Sequence, residues 1–214
     1  HVVCELGFDG LDINMGCPSR NVASSGSGAG LIKTPDRAHA IMRAARQGIL
    51  DWGNGQTLAS IGLKAARVDL IRTMNLKRNG HPTVPRRVIP LSVKTRLGYD
   101  SVVIESWISH LLEEQPAVIS VHGRTLQQMY RGEADWAAIG RAAQVVQGTA
   151  TLLFGNGDLQ SMQDVVRRVR ETRVHGVLVG RGALGGPWFF RNKEEARASA
   201  GASDEKGLLP VEPE

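Results

Sequence analysis

A cysteine in a bend at the end of a strand-like run is the first residue with chemistry to offer. In Asp12-Ile13-Asn14-Met15-Gly16-Cys17-Pro18-Ser19 the run stops at Asn14, and Gly16 and Pro18 then turn the chain around Cys17. Such a bend presents a thiol at the mouth of a site. A thiol with an ordinary pKa of roughly 8.5 is mostly protonated at neutral pH, which suits a general acid. A nucleophile would need a base or a cation beside it, and none is near in sequence. The alternative is a buried, inert thiol, and that is the reading for Cys4, which sits inside an apolar stretch.

Four further clusters share this position at the end of a strand-like run. Ser92-Val93-Lys94-Thr95-Arg96-Leu97-Gly98 places Lys94 where a bare cation is costly without an anionic ligand, unless its stem carries the charge to the rim. Val121-His122-Gly123-Arg124-Thr125 offers a ring nitrogen to a planar heterocycle, or simply a structural histidine. Gly155-Asn156-Gly157-Asp158 and Gly180-Arg181-Gly182-Ala183-Leu184-Gly185-Gly186-Pro187-Trp188 let backbone amides approach a ligand closely, and Arg181 adds a fixed charge. If these two close the last strands of a barrel, they form a phosphate cradle.

These clusters need a frame that gathers strand ends. The apolar runs are Leu11–Asn14, Ile89–Lys94, Val118–His122, Thr151–Gly155 and Gly176–Gly180, several of them without alternation, as parallel strands covered on both faces require. Amphipathic segments fill the gaps. Pro35 to Gln47 opens with Thr34 as cap and Pro35 at the first helical position. Trp136 to Val146 reads the same way, and in Ser161 to Thr172 the capping Ser161 precedes Asp164 by three residues. The steps from Lys94 to His122, to Asn156 and to Arg181 are 28, 34 and 25 residues, each one βα unit. From Asn14 to Lys94 is 80, too long for one unit. Leu58, Ile61, Ala65, Val68 and Ile71 keep a helical rhythm there, so residues 48–88 are expected to be a mainly helical insertion.

Polar or glycine-rich groups at all five strand ends favour an α/β TIM barrel over a doubly wound sheet, and no GxGxxG follows the first strand. A barrel has eight strands; five are visible.

Composition sets the outer bounds. With 42% hydrophobic and 22% charged residues in 214, the chain is ordinary globular sequence and not disordered as a whole. No apolar run approaches the roughly 20 residues of a membrane span. Two cysteines make neither a disulfide scaffold nor, without CxxC or a Cys/His cluster, a zinc site. The N-terminus, HVVCELGFDG, lacks signal-peptide architecture, so a cytoplasmic protein is expected. Lys and Arg number 26 against 21 acidic residues, a net charge of +5 that leans toward an anionic partner.

Taken in order, the five motifs resemble those of the tRNA-dihydrouridine synthases, from about Gly7 to Phe190 with residues 48–88 interrupting. The resemblance implies an FMN-containing (β/α)8 barrel that uses NADPH to reduce selected uridines of tRNA to 5,6-dihydrouridine. On it, Cys17 is the proton donor to uracil C5 and Asn14 orients the base. Lys94 lies by the flavin N1/O2 edge, and His122 contacts the flavin pyrimidine ring. Asn156, Gly157, Asp158, Gly180 and Arg181 hold the ribityl phosphate. Arg124 contacts the substrate, tRNA is the partner, and no metal or membrane is involved. The target base must leave the RNA stack to reach such a site.

The chain departs from the family's pattern as well. Its strands correspond to the fourth to eighth of the barrel, so residues 1–190 are expected to be a partial catalytic domain that binds FMN poorly by itself. Residues 191–214 read as a polar, disordered tail. Another FMN-dependent barrel oxidoreductase acting on a small pyrimidine or enone, or a non-catalytic RNA-binding remnant, would share part of this pattern.

Overall fold

The computed structural model describes residues 1–191 and 193–201. In chain order its elements are α1 (Val2–Glu5), β1 (Leu11–Asn14), α2 (Arg20–Ser24), α3 (Pro35–Gly53), α4 (Ala65–Asn79) and β2 (Leu91–Arg96). Then come α5 (Ile104–Glu113), β3 (Val118–His122), α6 (Trp136–Val146), β4 (Leu152–Asn156), α7 (Met162–Thr172), β5 (Gly176–Leu178) and α8 (Lys193–Gly201). The strands form one sheet in the order β1-β2-β3-β4-β5. Strands β3–β4 and β4–β5 pair in parallel, with His122 opposite Asn156 and Asn156 opposite Leu178. Sheet order that follows chain order is what consecutive barrel units produce; a doubly wound sheet reverses direction at a switch point. The chain has an α/β fold of barrel type.

Two compact units divide the chain, with boundaries inside β1 and β2: residues 1–13 with 36–92, and residues 14–35 with the described residues from 93 on. In the first unit, α3 starts at Pro35 with Asp36 in its first turn. It runs six residues past the expected end at Gln47 and buries Met42, Ile49 and Trp52. The Trp52 indole donates to Glu5 Oε2 at 2.7 Å, and the buried Asn75 of α4 donates to the Glu5 carbonyl at 2.8 Å. Cys4 is buried, as expected of an inert thiol, and burial raises its pKa.

The expected insertion is helical only in part. Residues 54–64 are turns, because Thr57 and Ser60 exchange side-chain-to-backbone hydrogen bonds that compete with a helix. The helical rhythm holds only from Ala65, where Val68 and Ile71 pack with Leu58.

In the second unit, Val93, Ile119, Val121 and Leu153 of the sheet are fully buried, as are Ile104, Ile108 and Leu111 of α5 and Ile139 of α6. The Trp107 indole donates to Thr95 Oγ1 at 2.9 Å, which fixes α5 on β2. Helix α7 carries the expected capping box of Ser161 and Asp164, and Asp135 caps α6 by accepting from the Ala138 amide. Residues 193–201 are helical and lie against α7, which corrects the expectation of a disordered tail for that stretch. Lys-Glu-Glu-Ala-Arg-Ala is strongly helix-forming despite its polarity. The expectation for Asn192 and residues 202–214 lies outside the described residues. Among the described residues, no helix is long and apolar enough to cross a membrane.

Gly155 of β4 tests how tightly α6 sits on the sheet: a Cβ there would lie 2.4 Å from the Trp136 ring, whose indole nitrogen donates to the Gly157 carbonyl. Gly155→Ala should destabilise the protein by about 1–3 kcal/mol through overpacking. An unchanged urea midpoint would show that the indole moves freely.

Candidate functional site

Strand ends in the second unit converge on a cavity of about 230 Å³. Lys94 and Arg96 reach it from β2, His122 from β3, Asn156, Gly157 and Asp158 from β4 and its loop, and Gly180 and Arg181 from the loop after β5. Seven expected site residues therefore meet at one place. The volume falls short of the roughly 300–1,000 Å³ that encloses a drug-sized ligand, so these strands supply a wall and a floor.

Asp158 organises this wall. Its backbone is left-handed, with φ of +50°, a conformation that Asp tolerates better than most residues. Its carboxylate accepts from Arg124 Nη2 at 2.6 Å, Arg181 Nη2 at 3.1 Å and the Ala134 amide at 2.8 Å. Burial alone would raise its pKa; the hydrogen bonds from Arg124 and Ala134 and the two guanidinium charges hold it below the usual carboxylate value. Surrounded this way, Asp158 orients Arg181. Asn156 is likewise engaged, donating from Nδ2 to the Leu178 carbonyl at 2.7 Å and so bracing β4 against β5.

Arg124, expected at the substrate, is held within the protein: its side chain is 2% exposed and donates to Asp158 and to the Gly132 and Arg131 carbonyls inside the β3 loop. Arg124 Nη1 also approaches His122 Nε2 at 3.4 Å. A guanidinium only donates, so Nε2 is the acceptor and the ring proton belongs on Nδ1. Burial first, then the charges of Arg96, Lys94 and Arg124, push the His122 pKa down to about 3, with Asp158 opposing. The ring is neutral at physiological pH.

Gly157, at φ +135°, belongs to the site for steric reasons. A Cβ there would stand 2.6 Å from Ala134 Cβ and 3.5 Å from the His122 ring. At Gly180 an added Cβ would meet nothing within 4 Å, so this backbone faces open space.

Asn14 and Cys17 do not line the cavity. Asn14 Oδ1 accepts the Gly16 amide at 3.0 Å and so shapes the bend before Cys17. Cys17 is partly exposed on that bend, and Gly28 lies so close that a Cβ on it would be 2.9 Å from Cys17 Cβ. Arg96 links bend and cavity: 4% exposed, it donates to the Gly16, Thr125 and Met129 carbonyls at 2.8, 3.1 and 3.3 Å. Burial, before any other cause, lowers its pKa from the usual guanidinium value. Sequence reasoning missed Arg96, although strand alternation places it on the same face as Lys94, two residues away. It also missed Tyr130, which lines the cavity with its ring 5.7 Å from the Arg181 guanidinium.

A chain-ordered parallel sheet whose strand ends present cations and a neutral imidazole around one cavity defines a barrel-type protein with a seat for an anionic ligand. The sequence model of the dihydrouridine synthase (Dus) family matches residues 1–50 and 70–208, and the chain belongs to that family. The match passes over residues 51–69, a narrower break than the expected 48–88. A "Probable tRNA-dihydrouridine synthase 2" of Bacillus subtilis (strain 168) is 32% identical over 200 residues, covering 92% of this chain and 50% of the relative. A "Probable tRNA-dihydrouridine synthase" of Staphylococcus epidermidis is 30% identical, covering 92% and 49%. The chain thus spans about half the length of the curated relatives it matches. Among solved structures, DHODH from Eimeria tenella in complex with ferulenol has a TM-score of 0.58 at 15% identity, over 90% of this chain and 50% of that one, a likeness of fold.

The depressed His122 pKa has a definite sign. The unfolded chain takes up a proton near pH 6.5 while the folded one does not until about pH 3, so stability falls as pH drops through that window. His122→Gln should lose less stability than the wild type between pH 7 and 4.5 in urea denaturation. Equal losses would mean that the ring is charged in the folded protein.

Proposed function

We propose that this chain forms the flavin-facing half of a tRNA-dihydrouridine synthase, and that its cavity seats FMN. The observation that carries this reading is the meeting of Lys94, His122, Gly180 and Arg181 at one cavity, in a chain of the dihydrouridine synthase family. The donor set fits the group. Open backbone at Gly180 and the guanidinium of Arg181 suit a phosphate monoester, and Lys94 suits the electron-rich edge of a flavin ring. Four cations, counting Arg96 and Arg124, stand against one compensated carboxylate, so the wall favours an anion.

Saturating the uracil C5–C6 bond takes a hydride at C6 and a proton at C5; a bound FMN, reduced by NADPH, would supply the hydride. The proton is the chain's contribution. Cys17, held on its bend by Asn14 and Arg96, donates from its thiol, and Asn14 is assigned the orienting of the base. His122, uncharged and protonated on Nδ1, hydrogen-bonds without adding a competing charge. Arg181 binds and orients at the phosphate end, aimed by Asp158. The uridine belongs to tRNA, and a cytoplasmic location goes with that substrate.

Two measurements test the reading. The isolated chain should bind FMN weakly in a fluorescence titration, and Arg181→Ala should weaken binding about tenfold further; tight stoichiometric flavin on purification would contradict a partial seat. In the longest gene product containing this sequence, Cys17→Ala should cut dihydrouridine formation on tRNA by about 100-fold or more while bound flavin is unchanged. Unaltered turnover would remove Cys17 from the chemistry.

A further inference from the structure

We propose that α4 and the chain flanking it form a docking face for the phosphate backbone of a folded RNA. This rests on the reading of an RNA substrate and names a surface for it in the first unit. Between Lys64 and Arg87 the sequence holds seven Lys and Arg residues and one carboxylate, Asp69. The whole chain carries a net +5, so this short stretch holds all of the excess and the remainder is nearly neutral.

Packing decides which way the charge faces. Val68 and Ile71 are buried against Leu58, with Leu6 and Leu63 alongside. Arg67, Leu70, Met74 and Lys77 fall at i, i+3, i+7 and i+10, which lines them up along one exposed stripe. Little neutralises these cations. Arg72 is 3.9 Å from Asp69, and Arg87 pairs with Asp9 at 2.5 Å. Arg78 donates to the Leu6 carbonyl and lies over the Phe8 ring, and Arg86 donates to the Trp52 and Gln56 carbonyls. Carbonyls position those two charges without cancelling them. Among the described residues Lys64, Arg67 and Lys77 have no partner. Two of these, Lys64 and Arg67, fall in the stretch that the family match passes over.

Uncancelled like charges gathered on one face attract a polyanion, which releases its counterions on binding. An anionic membrane is the weaker match. A surface-lying helix buries a broad apolar face, whereas Val68 and Ile71 of α4 are packed inward and its exposed apolar groups are split, Leu70 and Met74 bracketed by Arg67 and Lys77 and Leu76 lying apart from them.

The test is retention of an unmodified tRNA transcript by the full chain on filters, between about 50 and 200 mM salt. K64Q/R67Q/K77Q should raise Kd about tenfold and flatten the log–log salt slope by about 2–3. R141Q/R167Q/R170Q, with equal loss of charge on α6 and α7, should change neither, and K64R/K77R should bind like the wild type. Circular dichroism checks that each variant is folded. The proposal is overturned if the α4 triple binds as the wild type does, or if both triples weaken equally. It also fails if only binding to phosphatidylserine vesicles is lost, or if the wild-type chain never retains tRNA. None of these readouts involves flavin or turnover, so a failure here is separable from a failure of uridine reduction.

Discussion

Asp158 carries the charge around which three strand-end loops are arranged, because its carboxylate accepts at once from Arg124 after β3, from Arg181 after β5 and from the Ala134 amide. Charge-assisted bonds of this kind contribute about 1.5–3 kcal/mol each, and leaving a buried guanidinium without its partner costs about 3–5 kcal/mol. Arg124 is buried and would bear that cost; Arg181 is exposed and would merely lose its aim. The same carboxylate thus holds one arginine inside the protein and fixes the direction of another at the cavity wall.

Placing cations around a cavity is expensive unless something anionic occupies it, and the wall is built to tolerate them in the meantime. Arg96 spreads its charge over three carbonyls from two loops, and Arg124 over a carboxylate and two more carbonyls. His122, in the middle, gives up its proton rather than add to the repulsion. Because Arg96 holds the Gly16 carbonyl, the residue before Cys17 is tied to the floor of the cavity even though the thiol lies outside its lining.

Much of this was legible in the residues, and the misses have physical causes. Apolar runs ending in polar or glycine-rich turns located all five strands to within a few residues, and Pro35 and the Ser161–Asp164 pair marked helix starts that local capping chemistry fixes. Seven cavity residues followed from their shared place at strand ends. One feature depended on a partner far away in sequence. Whether Arg124 faces solvent or the interior is set by Asp158, 34 residues on, and no local pattern encodes that. Residues 54–64 kept a helical rhythm of apolar side chains, yet the hydroxyls of Thr57 and Ser60 took the backbone for turns. In 193–201, polar composition suggested disorder where helix propensity prevailed.

The chain-ordered sheet also bears on how the protein reaches its native state. Val118 pairs with Leu152 and Phe154 with Gly176, so β4 and β5 each close a loop of only a few tens of residues onto the strand before. The first unit must instead bring Glu5 to Asn75, across 70 residues. Loop closure over longer separations costs more entropy before any contact rewards it. Refolding should accordingly zip the strands together one after another, with the N-terminal segment latching onto its distant helix last.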